Sequence, residues 1–198
     1  MTDSPQTRLS LLVRLRDGLD ERAWTEFVEV YAPLIHGFAC KQGLQDADAA
    51  DLMQEVFRAV ARAIKRFEYD PQRGTFRGWL FTVVRNKLRN FLVRHKRQCR
   101  GSGDSAVQEM LAEYAAPQED QVEMWERECE RRRFDWAAER ARGEVQDSTW
   151  QAFWRSAVEG QSGQQVAEAL GMRVAAVYLA KSRVMARIKE HLKQCPLE

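Results

Sequence analysis

The run Ala50–Ile64, ADLMQEVFRAVARAI, limits what this chain can fold into more than any other stretch. Met53, Val56, Phe57, Val60, Ile64 and Phe67 recur at steps of three and four residues. That period is the apolar stripe of an amphipathic helix, with Asp46 or Asp48 as its expected cap. The same period recurs before it. Thr7–Asp17 reads as a short helix with Leu9, Leu12 and Val13 inward, stopped by Gly18. Asp20 can cap a second helix, in which Ala23, Phe27, Val30, Tyr31, Leu34, Ile35 and Phe38 keep the helical period as far as Gly43.

The pattern breaks between Glu68 and Gly78, where Pro71, Gly74 and Gly78 mark a loop. A fourth helix runs from about Trp79 towards Arg97, with Trp79, Leu80, Val83, Val84, Leu88 and Phe91 inward. In the last third, Trp125, Cys129, Arg132 and Trp136 share a face, and Trp150, Phe153, Trp154, Ala157 and Val158 form an apolar stripe. Two more helices surround a tight turn near the end. Ser162 with Gln165 forms a capping box for the first, Gly171 ends it, and Val177, Ala180, Val184, Ile188 and Leu192 face inward on the second. No strand alternation of any length is present. The expected fold is all-α, in two small helical domains, 1–100 and 123–198, joined by a linker at 101–122. The second is expected to hold a helix-turn-helix.

Net charge is only +2, so the average says little about partners, but the distribution says much. From Pro71 to Gly103 there is no Asp or Glu, whereas that zone carries Arg73, Arg77, Arg85, Lys87, Arg89, Arg94, Lys96, Arg97 and Arg100. Asp104–Glu130 then holds nine acids against a lone Arg127. Blocks of this kind are interaction features more often than folding features.

Several classes drop out. The N-terminal apolar run is short and already broken by Arg14 and Arg16, which does not suit a signal peptide, and no run approaches the roughly 18 apolar residues of a membrane span. The chain is therefore read as cytoplasmic, without membrane insertion. Its four cysteines are scattered, with no CxxC pair. Each His precedes a Cys by four residues (His36/Cys40, His95/Cys99, His191/Cys195), a spacing that could make half of a zinc site. Structural sites need four ligands, so no metal is assigned. No phosphate-cradling glycine loop and no nucleophile–base set stands out, so neither a cofactor nor an enzymatic activity is expected.

Three segments carry the functional signals. Counting from Gly163, a small residue stands fifth (Ala167), Gly ninth (Gly171) and a branched apolar residue fifteenth (Val177), the spacing a helix-turn-helix needs. Its second helix would present Arg173, Ala175, Ala176, Tyr178, Leu179, Lys181, Ser182 and Arg183 to the major groove; the alternative is a helical hairpin with an ordinary cationic surface. On the helix around Asp51, the residues Asp51, Gln54, Glu55 and Arg58 share an outward face, for which a solvated surface is the better reading when taken alone. On the helix from Trp79, Arg85, Asn86, Arg89, Asn90, Arg94 and Arg97 line the side not used for packing, and the preceding loop adds Arg73, Thr75, Phe76 and Arg77. Cations beside an aromatic loop suit single-stranded nucleic acid, where phosphates meet charge and bases stack. The alternative, that Phe76 and Trp79 are core, is favoured for Trp79.

Together, AWTEFVEVYAPLI, DADAADLMQEVFRAVARAIKRF, FRGWLFTVVRNKLRNFLVRHKR and the terminal helix-turn-helix resemble bacterial sigma factors of the extracytoplasmic-function type. The resemblance spans nearly the whole chain except the linker. It implies a transcription initiation factor, an alternative sigma factor, that does no chemistry itself. Asp51, Gln54, Glu55 and Arg58 would dock on core RNA polymerase. The loop and basic helix would melt and hold the minus-ten element of promoter DNA, with one extruded base near Arg73–Arg77. Val174–Arg187 would enter the minus-thirty-five element, and the acidic linker would stand in for the missing middle domain. An anti-sigma protein is a further partner that the resemblance allows. The chain departs from the family pattern at Asn90, where Asp is frequent, and at Arg173, where Ser is frequent. An ordinary helix-turn-helix repressor or activator, binding duplex DNA without polymerase, is the alternative reading.

Overall fold

The computed structural model describes residues 6–17, 20–66, 75–100, 119–195 and 197, the side chains of 6–10 and 95–100 excepted. Among these residues there are eight α-helices and no strand. They are α1 (Gln6–Arg16), α2 (Glu21–Lys41), α3 (Asp46–Ala63), α4 (Phe76–Arg100), α5 (Glu119–Gly143), α6 (Asp147–Phe153), α7 (Gly163–Leu170) and α8 (Val174–Gln194). They form two compact units, one drawn from positions up to Arg132 with the last few residues, the other Arg133–Cys195. The division falls inside α5. No helix among the described residues is long and apolar enough to cross a membrane.

In the first unit, α3 lies against both α2 and α4. Of the stripe residues, Phe27, Leu34, Ile35, Phe38, Val56, Val60, Ile64, Leu80, Val84 and Leu88 are buried, whereas Met53 and Phe57 are only half-buried and Leu52, outside the expected stripe, is buried beside them. Phe67 lies outside the described residues. Asp20 caps α2 by accepting from the Ala23 amide at 2.9 Å. Asp46 and Asp48 do not cap α3; Gln45 holds that place without a side-chain bond, and the two acids lie in the first turn, where they complement the helix dipole. In α1, Leu11, Leu12 and Leu15 are buried while Val13 is 56% exposed, so the inward face lies one position round from the expected one. Leu9 is outside the described side chains.

α4 begins three residues earlier than expected. Thr75 Oγ1 accepts from the Gly78 amide at 3.1 Å, an N-cap that makes Phe76 the first helical residue. Phe76 and Arg77 therefore stand on a helix, not in a loop. Phe76 is 6% exposed, its ring edge-on to Phe27 and Tyr31, while Trp79 is only half-buried. Of the two aromatics it is Phe76 that serves as core. Arg85, expected on the open side of α4, is also buried.

In the second unit, Ala137, Ala138, Ala141, Trp150, Phe153, Val184 and Ile188 form one apolar cluster. Ala152, Val166, Ala167, Val177 and Ala180 form another. The stripe from Trp150 fails at its end, where Ala157 and Val158 are exposed. The cause is a π turn at Trp154–Val158, whose extra residue rotates the end of the stripe away from the core. The Ser162/Gln165 capping box is present, and Gly171 ends α7 in the left-handed region at φ 62°, ψ 32°. Any side chain there would strain the three-residue turn to α8. Arg173 precedes α8 without a side-chain cap. Arg173→Ser should therefore stabilise the second unit by about 1 kcal/mol, read as a raised midpoint in denaturant unfolding.

Candidate functional site

The face expected on α3 is open. Asp51, Gln54 and Arg58 are exposed, Glu55 is half-buried, and together with Asp48, Phe91 and Arg94 they line a hollow of about 400 Å³. Arg58 donates to Gln54 Oε1 at 3.1 Å. Arg94, which the sequence places among nucleic-acid cations, instead donates to Glu55 Oε1 at 2.7 Å, and Lys87 Nζ lies 3.8 Å from the other oxygen. The two expected sites thus share an ion pair across 39 positions of chain. Hydrogen bonding from Arg94, then its charge and those of Lys87 and Arg58, holds the Glu55 carboxyl below the usual carboxylate range despite partial burial. Glu55 is therefore an anion throughout the physiological range. The hollow offers carboxylates and one apolar wall, which suits a cationic helix of a protein partner more than a phosphate.

The expected nucleic-acid set divides. Arg73 lies outside the described residues, and so does the Arg97 side chain. Asn86 and Asn90 are exposed, and Arg89 is half-buried. Arg85 is 9% exposed, and its Nη1 has no hydrogen-bond partner among the described residues. Thr75 is exposed but holds the N-cap, and Phe76 is core. Arg77 has only 18% of its side chain exposed; its Nη2 donates to Glu126 at 2.5 Å, and Glu130 lies 3.9 Å from Nη1.

Those acids belong to the first half of α5, the part that packs in the first unit, and the sequence offered no role for them. Trp125 is 1% exposed, edge-on to Phe38 at 5.3 Å and tilted on Phe81 at 5.5 Å. Glu128 is fully buried and takes bonds from Lys41, Arg131 and Arg132. A Cβ at position 37 would lie 2.5 Å from Glu128 Oε1, so any side chain there would push the bonded Glu128 carboxylate out of place. Burial pushes the Glu128 carboxyl up, but the bonds from Arg131 and Lys41 outweigh it and hold the group below its ordinary value. A depressed folded-state value stabilises docking above the unfolded pKa and is lost as pH falls through the folded one. Amide protection of residues 119–132 should therefore persist to mildly acid pH and fall only below the ordinary carboxylate range, as read by hydrogen exchange. Cys129, beside Glu128, is buried, and burial pushes its thiol up to about 12.

In the second unit, Arg173, Ala175, Tyr178, Leu179, Ser182 and Arg183 are exposed along one end of α8, with Ala176 and Lys181 half-buried. The Tyr178 ring lies over Gly163, where a Cβ would come within 3.1 Å of it. Behind this face, His191 Nε2 meets Glu144 at 3.0 Å.

The expected His/Cys half-sites do not converge among the described residues. His95 and Cys99 are outside the described side chains. His36 and Cys40 are joined by Asp46, but the imidazole turns Nδ1 to Cys40 Sγ (3.8 Å) and Nε2 to Asp46 (3.1 Å). One ion cannot use both nitrogens, so as placed the three are a hydrogen-bonded string.

The family description Sigma-70 region 2 matches residues 27–98. The ECF RNA polymerase sigma factor RpoE of Cereibacter sphaeroides is 36% identical over 89 residues, which is 44% of this chain and 48% of that protein. The RNA polymerase sigma factor NccH of Alcaligenes xylosoxydans xylosoxydans is 29% identical over 61% of this chain and 63% of its own length. This chain thus spans about half to under two thirds of these relatives. The structure of CnrH in complex with the cytosolic domain of CnrY aligns with 93% of this chain and 96% of its own, at 21% identity and a TM-score of 0.38, too distant to inform the fold.

Proposed function

We propose that this chain, which belongs to the sigma-70 family of RNA polymerase sigma factors in its extracytoplasmic-function group, binds core RNA polymerase and gives it promoter recognition and melting. The observation that carries the reading is the open carboxylate face of Asp51, Gln54 and Glu55, with Arg58 beside it, inside the span matched as region 2. It takes the polymerase. Asn86, Arg89 and Asn90, with Arg85, Arg77 and Thr75, serve the unpaired minus-ten strand, joined by Arg73, which lies outside the described residues, and Arg97, whose side chain does. Arg173, Ala175, Ala176, Tyr178, Leu179, Lys181, Ser182 and Arg183 take the minus-thirty-five duplex, on the region-four-like helices α7 and α8. The acidic stretch between α4 and α5 occupies polymerase channels, and an anti-sigma protein is a partner this reading admits. The factor works in the cytoplasm and does no chemistry of its own.

Arg94 is reassigned: it holds Glu55 in place at the edge of the polymerase face. Neutralising Arg85 and Arg89 should weaken promoter opening and lower its salt dependence. The slope should fall by about 0.7 for each strand phosphate released. Opening followed by permanganate footprinting over a salt series tests this; an unchanged slope would remove both arginines from the strand site.

A further inference from the structure

We propose that residues 119–132 imitate a nucleic-acid strand on α4 and cover a strand-binding subsite until the promoter displaces them. The inference rests on the reading of α4 as a strand-binding helix. Arg77, Phe81, Arg85 and Arg89 recur at four-residue steps and so lie along one side of α4. Cations alternating with an aromatic are what an unpaired strand requires, phosphates on the charges and a base on the ring.

On this side the first half of α5 supplies both kinds of group. Glu126 and Glu130, one turn apart, face Arg77, where phosphates would go. Trp125 lies on Phe81, where a base would stack. The segment also has its own fastening on α2, through the buried Glu128 on Lys41 and the close approach at Gly37. Glu126 and Glu130 are by contrast 46% and 64% exposed, so they contribute charge more than packing. The charge pattern of the chain agrees, since the acid-free zone around α4 is followed by an acidic block whose described end brings Glu126 and Glu130 to Arg77.

The test uses the full chain, a short fluorescein-labelled single strand and alkylation of Cys129 read by peptide mass. Cys129 sits inside the docked segment, fully buried, and reports its release. Glu126→Gln with Glu130→Gln should tighten strand binding about fivefold, the effect of losing two exposed ion pairs. Glu29→Gln with Glu139→Gln, the same charge change at exposed positions elsewhere, should change it less than about twofold. Within each chain, saturating strand should speed alkylation of Cys129. Equal gains from the two pairs, an unmoved Cys129 with strand bound, or no binding by any chain would each overturn the proposal. Co-elution with core polymerase, measured on the same preparations, shows separately whether the sigma-factor reading stands.

Discussion

Replacing Trp125 by alanine is expected to unfasten residues 119–132 from the first unit, at a cost of about 3–5 kcal/mol. The indole is 1% exposed and packs on two rings, edge-on to Phe38 and tilted on Phe81. Each such pair adds about 1 kcal/mol to the burial of the ring. Its Nε1 has no partner among the described residues, so no hydrogen bond is lost with the ring and the cost is one of packing. Glu128→Gln is the instructive comparison, because a buried carboxylate with three cations looks like the stronger fastening. Desolvation of a buried charge offsets most of its attraction. The cations left behind are 25–48% exposed and can turn to water. The tryptophan change should therefore be the larger of the two. Alkylation of Cys129 under native conditions measures both, and a larger effect from Glu128→Gln would mean that charge, not packing, holds α5.

Reversing Asp51 and Glu55 to lysine is expected to abolish binding to core polymerase while leaving the first unit folded. Asp51 is exposed, and Glu55 has 27% of its side chain exposed. A lysine at 55 would face Arg94 and Lys87, now its partners at 2.7 and 3.8 Å. Like charges across that short gap cost stability at the surface on the order of 1 kcal/mol, too little to unfold a domain of ordinary stability. Against a cationic partner helix the same reversal turns two attractions into repulsions, a change of several kcal/mol. Unchanged far-ultraviolet circular dichroism with lost polymerase binding separates the two effects.

The helices are legible because their apolar residues repeat with one period, and caps at Asp20 and Ser162 mark where two of them start. Thr75 is harder to read as a cap, since the Pro and Gly residues around it signal a loop just as strongly. The π turn after Phe153 leaves no local signature, so Ala157 and Val158 read as core and are not. The carboxylate face of α3 reads as surface from spacing alone, and its proposed role comes only through family resemblance. Its link to Arg94 is invisible in the sequence, because helical spacing cannot bring together residues 39 apart.

The docking of α5 has two signals that composition hides. Trp125 and Cys129 recur one turn apart in an otherwise charged helix, which implies an inward face with Glu128 beside it. Gly37 interrupts α2 at a place where glycine costs about 1 kcal/mol, a sign of something approaching closely.

The most direct test is size-exclusion chromatography of the purified chain with bacterial core RNA polymerase. The account predicts one-to-one co-elution of the unaltered chain and its loss when Asp51 and Glu55 are reversed to lysine. A chain that elutes apart from polymerase, as a dimer that binds duplex DNA, would contradict it and make this protein an ordinary repressor or activator.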